Sequence, residues 1–344
     1  MLSIFAINQN ANAQFGDAGE ILRAGAQDAE LMLTEYMRPA AEGFSTSLNT
    51  GWFNTAGTHS TLGFDLTFRA NVSAMPSNLN TFNLNELSLE KSRPINSPVA
   101  STIIGPKNTT AVGIYGDNPF TGQEEEITRF NIPEGVNFGY VPSAMAQLSV
   151  GLIKNTDLSI RYMPPVTVSQ FDLTANLFGI GIKHDIKQWI PGMSLIPIDI
   201  SVAAGITTFN ANAQVDVRPD ATTPGALPMS QWDDQEISLR ATGTNFNVIA
   251  GRTLPFISVY AGLGYETSST TLKATGNYPV ESIGALGQRE IERITDPVDI
   301  GFDGSNSFRG LAGARLKFFL FTLSADVVVA DVTVGSLGFG ISFR

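Results

Sequence analysis

Large apolar side chains fall on every second residue over long stretches of this chain, and this alternation restricts its fold more than any other feature. In the run LGFDLTFRANVSA (residues 62–74), seven apolar residues alternate with Gly, Asp, Thr, Arg, Asn and Ser. A period of two residues is typical of a β-strand with two different faces. The run is longer than the roughly 5–6 residues of an ordinary globular strand and covers the about 9–11 that a tilted transmembrane strand needs.

Runs with the same alternation recur along the chain, and tight turns join some of them. KNTD (residues 154–157) joins two runs into a hairpin, and KFFLFT (residues 317–322) leaves room for only a very short turn. Three stretches lose the alternation and are predicted to be long loops, at about 91–143, 211–234 and 276–306. Counting the strong and weak runs gives an all-β chain with about 14 strands, in a range of about 12–16. The strong runs besides 62–74 are 148–152, 158–162, 196–206, 237–241, 257–265, 312–318, 323–329 and 337–343.

Composition excludes several classes of protein. Charged residues make up 15% of the 344 residues, against about 25% in soluble globular proteins. No apolar run reaches the roughly 18 residues of a spanning helix. The net charge of −11 makes nucleic acid a poor partner, and the absence of Cys excludes disulfides, thiolate catalysis and Cys-ligated zinc.

The charged residues of the alternating runs fall on the same face as the small polar residues, and none interrupts the apolar face. A soluble β-sandwich usually has a polar face dense in Lys and Glu, whereas here Gly, Ser, Thr and Asn dominate. This pattern favours a closed antiparallel transmembrane barrel with a polar lumen over a soluble β-protein, which stays the alternative. The charged residues in question are Asp65, Arg69, Arg161, Asp199, Arg240, Glu266, Arg315, Lys317 and Asp326; aromatics that suit the membrane interfaces are Tyr162, Tyr265, Phe308, Phe318, Phe319 and Phe343.

The segment SLGFGISFR alternates large apolar residues with Gly and Ser. Bacterial outer-membrane barrels commonly close with a strand of alternating apolar residues that has Phe at or next to the last position, and this segment is similar to that assembly signal. It predicts a location in the bacterial outer membrane and recognition by the barrel-assembly machinery. The residues of this predicted membrane-insertion signal are Leu337, Phe339, Ile341 and Phe343.

The amino-terminal region predicts a signal peptide followed by a helix. A short apolar run precedes Ala11-Asn12-Ala13, a pattern that signal peptidase cuts, which predicts a signal segment at 1–13 cleaved after Ala13. Residues 14–45 are predicted to form a helical hatch or plug, with Asp28 as the N-cap and Pro39 as the end of the helix. Residues 46–344 would form the barrel.

The layout of a helical amino-terminal segment followed by about 14 strands resembles the FadL-type outer-membrane transporters. The stretches LTEYMRPAAEGFSTSLNTGWFNTA (33–56), LGFDLTF (62–68) and GIGIKHDIKQWIPG (179–192) look similar to an uncharacterised branch of exported barrels related to that family. The resemblance implies a luminal hatch, a hydrophobic pocket and lateral exit of ligand through the wall. The Asn-Pro-Ala hatch motif of that family is missing from this chain.

The predicted helix carries an apolar stripe at helical spacing, with further aromatics close behind it. Thioether and aromatic side chains suit varied apolar ligands. The same stripe could equally pack on the inner wall as a plug, so the two interpretations stay open. The candidate ligand-binding residues are Met32, Leu33, Tyr36, Met37, Phe44, Trp52 and Phe53.

Catalytic and metal-binding patterns are weak. The two histidines, His59 and His184, are far apart, and the neighbours His59 and Ser60 would point to opposite faces of a strand. The acidic run at 123–126 fits a solvated loop better than a divalent cation site. We therefore expect no enzymatic activity, no cofactor and no metal.

The sequence predicts passive uptake or exchange of small hydrophobic, fatty-acid-like molecules. The alternative is a structural or docking subunit of an outer-membrane secretion or assembly complex. The expected partners are outer-membrane lipids, a hydrophobic small molecule, the barrel-assembly machinery and, for the alternative, an envelope protein complex.

Overall fold

The computed structural model describes residues 21–169, 172–193, 196–284 and 287–343. Within these ranges the chain forms one long helix and seventeen strands, ten of which close a single antiparallel barrel. The helix α1 is Ala26–Ser47 and the barrel strands are β1 Phe64–Ala74, β7 Tyr140–Leu152, β8 Thr156–Val168, β9 Leu173–Asp185, β10 Asp199–Gln214, β11 Glu236–Thr253, β12 Ile257–Thr275, β15 Val298–Phe318, β16 Phe321–Val329 and β17 Thr333–Phe343.

The remaining strands form small sheets outside the barrel. They are β2 Thr81–Asn83, β3 Ser92–Pro94, β4 Val99–Ser101, β5 Thr110–Asp117, β6 Glu124–Ile132, β13 Asn277–Ile283 and β14 Arg289–Thr295. β2 pairs with β4, β5 lies between β3 and β6, and β13 pairs with β14. The prediction of a closed antiparallel barrel is confirmed.

The prediction of about 14 barrel strands is wrong, because the barrel has ten. The strands β11, β12 and β15 are 18, 19 and 21 residues long, so each extends far beyond the run that predicted it, and fewer strands complete the wall. The prediction that 91–143 and 276–306 are loops throughout is also wrong. These stretches contain short strands that pair locally above the barrel, together with the start of β7 and of β15.

The barrel closes where β1 pairs with β17, from Phe64 opposite Phe343 to Ala74 opposite Thr333. The predicted hairpins at 154–157 and 317–322 are confirmed as the β7–β8 and β15–β16 turns. Lys154 and Asn155 both have positive φ, as residues of tight hairpin turns commonly do.

The two ends of the barrel differ. The short-turn end carries the turns at 153–155, 254–256 and 319–320, while the long-loop end carries the connections at 75–139, 215–235 and 276–297. The small sheets lie at the long-loop end and form a cap over the mouth. An apolar core inside this cap joins Ile114, Phe130 and Tyr278 to the first turns of α1.

Side chains on the barrel wall are distributed with apolar groups outside and polar groups inside. On β1 the outward Phe68 is 50% exposed, whereas the inward Arg69 is 3% exposed. Large apolar side chains are exposed in the same way on all ten barrel strands, with Leu263 and Phe308 the most prominent among them. A soluble protein would bury these groups and expose the charges, so the wall has the sidedness of a lipid-facing barrel.

Helix α1 enters the barrel from the long-loop end and differs from the sequence prediction at both ends. Asp28 lies inside the helix and not at its N-cap; its carboxylate accepts hydrogen bonds from the backbone N–H groups of Glu90, Lys91 and Ser92, at 2.7, 3.0 and 2.8 Å. Pro39 does not end the helix, which continues to Ser47. Burial of residues 41–47 inside the barrel compensates for the hydrogen bond that a proline cannot make. Among the described residues no helix is both long enough and apolar enough to span a membrane.

Candidate functional site

The lower half of the lumen is filled by an extended stretch of chain, residues 48–60, which we call the luminal segment. It runs from the end of α1 to the short-turn end. Wall side chains donate hydrogen bonds to eight of its carbonyl oxygens, so the barrel grips its backbone. The carbonyls and their donors are Leu48 (Arg161 and Thr207), Asn49 (Arg309), Thr50 (Arg161), Trp52 (Gln147), Phe53 (Arg69 and Tyr260), Thr55 (Lys183), Ala56 (Ser201) and Gly57 (Lys183).

Trp52 is the main side chain that fixes the luminal segment laterally. Its ring lies 3.8 Å from the guanidinium carbon of Arg161, an arrangement that adds cation–π attraction to packing. On the opposite side a Cβ atom at Gly205 would come within 2.4 Å of the indole. The wall therefore needs glycine at this position so that the indole can fit.

Ion pairs between wall residues surround the luminal segment. Arg69 pairs with Asp326 at 2.7 Å and Arg309 with Glu266 at 2.8 Å, all of them buried. Near the short-turn end, Asp157 accepts from Lys183 at 3.1 Å and lies 3.0 Å from His59 Nδ1. Buried charges of this kind are stable only when paired, so the lower lumen forms a closed polar plug.

Above this plug, a cavity of about 570 Å³ separates α1 from the wall. It lies within the range of about 300–1,000 Å³ that is typical of small-molecule sites. Apolar side chains from the helix and from β10, β11 and β12 form most of its surface. The lining comprises Leu22, Met37, Ala40, Ala41, Phe44, Ile103, Val141, Asp172, Leu173, Phe209, Ala211, Ala213, Gln214, Val215, Asp216, Val217, Ile237, Leu239, Thr270 and Leu272.

The strand β11 contributes to the cavity because its apolar residues near the long-loop end point inward, and the sequence analysis had placed them on the outer face. The apolar run at 237–241 was placed on the lipid side with Arg240 inside. In the structure Ile237 and Leu239 point into the cavity, while Arg240 is exposed outside. The exposed apolar residues on the outer face of β11 are instead Phe246 and Val248. This part of the lumen is apolar, which an assumption of a uniformly polar lumen could not anticipate.

The polar groups of the cavity lie at its rim and carry no positive charge. Asp172, Gln214 and Asp216 are exposed, which places the mouth of the cavity at the long-loop end. The hydroxyl of Thr270 is already used, since it donates to the carbonyl of Ala41 at 3.1 Å. Among the described residues that line the cavity there is no Lys, Arg or His. The cavity therefore offers no counter-ion to a carboxylate ligand.

Beside this cavity the strand pairing of the barrel wall is interrupted, along what we call the seam. The β7–β8 ladder extends from Leu152 opposite Thr156 to Gln147 opposite Arg161. Beyond that pair, residues 140–146 of β7 and 162–168 of β8 have no partners in this ladder. Val141 belongs to the seam and also lines the cavity.

Three prolines explain why the strands separate at the seam. If the register continued, Pro164 and Pro165 of β8 would face Ala144 and Ser143, and Pro142 of β7 would face Val166. Proline has no N–H to donate to a ladder. β8 also bulges against β9 between Met163 and Val166. Consistent with an opening, residues 164–168 are exposed on both faces of the strand.

The structure places the seven candidate ligand residues in three different environments. Met37 and Phe44 line the cavity. Met32, Leu33 and Tyr36 are buried in the core that joins α1 to the cap, and Trp52 and Phe53 lie deeper, in the plug. Direct ligand contact by these residues stays a prediction. Sequence reasoning missed the inward apolar residues of β10 and β11, such as Phe209 and Leu239. It also missed the seam, although the prolines in YVPSAM and YMPPV indicate interrupted strand pairing.

The other predicted features are the insertion signal, the acidic run, the expected absence of a metal site and the signal segment. Leu337, Phe339, Ile341 and Phe343 are 63%, 54%, 38% and 43% exposed on the outer face of β17; their role as an insertion signal stays a prediction. Glu124–Glu126 lie on β6 in the cap. No cluster of metal-ligating side chains occurs in the described parts of the chain. The signal segment at 1–13 lies outside the described residues.

A family model described as "Family of unknown function (DUF6588)" matches residues 1–343. The chain therefore belongs to this family. No FadL family model matches, so the FadL resemblance is not confirmed at the level of family. No curated protein matches the chain.

Solved structures similar to this one include outer-membrane proteins. Ail of Yersinia pestis is 10% identical, with 82% of this chain and 98% of that chain covered and a TM-score of 0.24. The outer membrane protease OmpT from Escherichia coli is 8% identical, with coverage of 86% and 98% and a TM-score of 0.26. A mutant of the monoaromatic hydrocarbon channel TodX is 10% identical, with coverage of 94% and 76% and a TM-score of 0.28. Likenesses this low carry no argument about this chain's activity.

Proposed function

Since membership in a family of unknown function assigns no activity, we propose a function from the geometry of this chain. The protein is a bacterial outer-membrane barrel that binds a small, uncharged hydrophobic molecule in the cavity and exchanges it with the bilayer through the seam. The transfer is passive and involves no catalysis. The observation that carries the proposal is the position of Val141, which lines the apolar cavity and lies at the unpaired edge of the wall.

A membrane location is supported by the outer surface of the wall. Only helices and closed barrels satisfy their backbone hydrogen bonds in a bilayer. Phe256 in the β11–β12 turn and Tyr265 on β12 are nine residues apart, which corresponds to about 30 Å along the chain and about 23 Å along the barrel axis at a tilt of about 40°. Aromatic side chains at these two heights match the girdles that border an apolar band of about 25 Å.

The lateral route is supported by the plug below the cavity. The luminal segment is held by wall donors at eight carbonyls, so passage straight through the barrel would break many buried hydrogen bonds at once. Movement from the cavity through the seam breaks none of them. The seam lies in the half of the wall nearest the long-loop end, because residues 140–144 pair with 70–74 of β1.

The chemistry of the lining supports an uncharged ligand. A carboxylate would need a cation or several free N–H donors to offset its desolvation, and the described lining offers no cationic residue. Asp172 and Asp216 at the rim would also repel an anion. Among fatty-acid-like molecules, the alcohol, ester or protonated acid is therefore favoured over the ionised acid.

Native mass spectrometry of the protein extracted from its own membrane tests this proposal. We expect a bound neutral molecule at a stoichiometry of one, displaced by added dodecanol and much less by dodecanoate at pH 8. Co-purifying protein subunits, no bound molecule and no binding of either compound would contradict the proposal and favour the docking role.

A further inference from the structure

A second cavity, of about 180 Å³, lies at the short-turn end of the barrel, far from the apolar cavity. It is enclosed by the foot of the luminal segment, the β11–β12 turn and the ends of β15 and β17. We call it the basal pocket and define it by Arg315, Lys317, Thr253, Ser258 and His59. None of the described residues that line it is Asp or Glu.

Arg315 brings unused hydrogen-bond donors to the basal pocket. Its side chain is 6% exposed, and Nη1 donates to Asn54 Oδ1 at 3.1 Å. The buried Nε and Nη2 atoms have no hydrogen-bond partner, although Nη2 lies 3.4 Å from a carboxylate oxygen of Asp65. Leaving buried donors unpaired is costly. The Nε–Nη2 edge is the edge that an oxyanion can bind through two parallel hydrogen bonds.

Other groups in the basal pocket complete an oxyanion site. Lys317 lies two residues after Arg315 on the same face of β15 and adds a second positive charge. Thr253 and Ser258 contribute hydroxyl groups; Ser258 Oγ donates to Thr253 Oγ1 at 3.3 Å, which leaves the Thr253 hydroxyl to donate to a ligand. His59 also borders the pocket but is not counted as a donor, because its Nδ1 lies 3.0 Å from Asp157 and the neutral ring then has an acceptor at Nε2.

The outer border of the basal pocket is apolar and faces the bilayer interface. Leu254 and Phe256 in the β11–β12 turn are 44% and 68% exposed, and Ile257 is 37% exposed. Basic pockets between membrane-spanning elements at an interface are typical sites for lipid head groups. A phosphate held by Arg315 and Lys317 would leave the attached acyl chains beside these apolar side chains.

We propose that the basal pocket binds a phosphate group, that of a phospholipid in the leaflet at the short-turn end. Phosphate fits the donor set because it offers several acceptor oxygens to the guanidinium edge, the ammonium and the hydroxyls together. The site is independent of the apolar cavity, so either site can fail a test while the other passes.

Lipid titration of the detergent-solubilised full-length protein, followed by native mass spectrometry, tests the proposal. The probes are dioleoyl phosphatidylglycerol, dioleoylglycerol (which lacks the phosphate) and inorganic phosphate. We expect one phosphatidylglycerol per barrel, and binding weakened at least about tenfold, or about 1.4 kcal/mol, in Lys317→Gln and in Arg315→Gln. Arg252→Gln, an exposed arginine at the same end of the barrel, is the matched control and should bind as the native protein does.

The variants and probes of this experiment distinguish a phospholipid site, a site for free phosphate and the absence of a phosphate site. Lys317→Gln covers the case in which Arg315→Gln disturbs folding, because the Lys317 side chain is partly exposed. Binding of inorganic phosphate with the same dependence on Lys317, but no binding of phosphatidylglycerol, would support the phosphate site with free phosphate as its occupant. Equal binding of phosphatidylglycerol and dioleoylglycerol, or equal binding by the native protein and Lys317→Gln, would overturn the proposal.

Discussion

The guanidinium of Arg161 stacks on the ring of Trp52, 3.8 Å from its centroid. The same side chain donates to the carbonyl oxygens of Leu48 and Thr50, each at 2.7 Å. One wall residue thus holds the luminal segment through its backbone and through its largest side chain. This contact keeps the lower lumen closed and leaves the apolar cavity with exits only above the plug.

Arg161→Lys should loosen the luminal segment without removing the positive charge. Lysine lacks the planar fork that reaches two carbonyls and stacks on an indole, so we expect the free energy of unfolding to fall by roughly 1.5–3 kcal/mol. Urea unfolding in lipid vesicles measures this loss, and hydrogen exchange at residues 48–52 should accelerate with it. Arg240→Lys, on the outer surface of β11, is the control. Equal stability and exchange in the two variants would show that Arg161 does not clamp the segment.

Cysteine pairs placed across the β7–β8 boundary should distinguish the seam from the closed part of the wall. The chain has no native cysteine. Val150→Cys with Leu158→Cys joins residues that are directly paired, so we expect a disulfide on mild oxidation. Ala144→Cys with Pro164→Cys should remain reduced, because a disulfide needs Cα atoms within roughly 7 Å. Electrophoretic mobility without reductant reports both results.

The cysteine pair at Ala144 and Pro164 also tests whether a bound molecule is exchanged through the seam. Bridging Ala144→Cys and Pro164→Cys with a flexible bis-maleimide should slow the exchange of a bound hydrophobic probe with vesicles, whereas bridging the Val150 and Leu158 pair should not. Efficient disulfide formation at the seam, or exchange unaffected by the bridge, would be incompatible with a lateral route.

Glu42 should make stability depend on pH. Burial is the main cause that raises its pKa above the usual value, with Glu35 adding to the rise and Arg38 opposing it. The folded state therefore holds this proton more tightly than the unfolded state, and its stabilising effect is lost as pH rises from about 4.5 through the raised pKa. Glu42→Gln should flatten that decline, whereas Glu30→Gln, exposed on the same helix, should not. Unfolding free energies between pH 4 and 8 provide the comparison.

Phe343→Ala should impair membrane assembly more than it impairs ligand binding. Phe343 lies opposite Phe64 where β17 closes on β1, with ring centroids 6.0 Å apart. We expect a several-fold smaller fraction of folded barrel, measured by heat-modifiable mobility, with unchanged binding per folded molecule. Phe318→Ala is the control, since it removes another exposed aromatic at the same end of the barrel, outside β17. A similar loss in both variants would refute a special role for the terminal strand.

Local patterns in the sequence were sufficient for much of the wall. The alternation from Phe64 to Ala74 and the turns at 154–157 and 317–322 are set by short-range chemistry, so they were predicted correctly. The number of strands was not, because alternation does not show where a long strand ends, and β11, β12 and β15 extend far beyond the runs that predicted them. The strands at 110–117 and 124–132 were also missed, since they lie in a stretch predicted to be a loop and pair with each other above the barrel. Which extended segments join the wall depends on long-range pairing.

The candidate site was only partly predictable for a similar reason. Met37 was identified beside the helical stripe and Phe44 among the aromatics that follow it, but Ile237 and Leu239 were assigned to lipid. In β11 the apolar residues lie on one face near the long-loop end, at Ile237 and Leu239, and on the other face further along, at Phe246 and Val248, so alternation alone cannot decide which face turns inward. Pro142, Pro164 and Pro165 did carry a readable signal, since proline disfavours interior strands. Their meaning required the register that brings β7 and β8 side by side.

Binding of a neutral fluorescent alkanol to the reconstituted barrel, with and without a bulky side chain filling the cavity, tests the hydrophobic site most directly. Ala211→Trp introduces an indole into the cavity lining, and Ala250→Trp introduces the same group on the exposed outer face of β11. We expect Ala211→Trp to weaken binding at least about tenfold, or about 1.4 kcal/mol, with Ala250→Trp binding as the native protein does. Equal affinity in all three proteins would contradict a hydrophobic ligand site between α1 and the barrel wall.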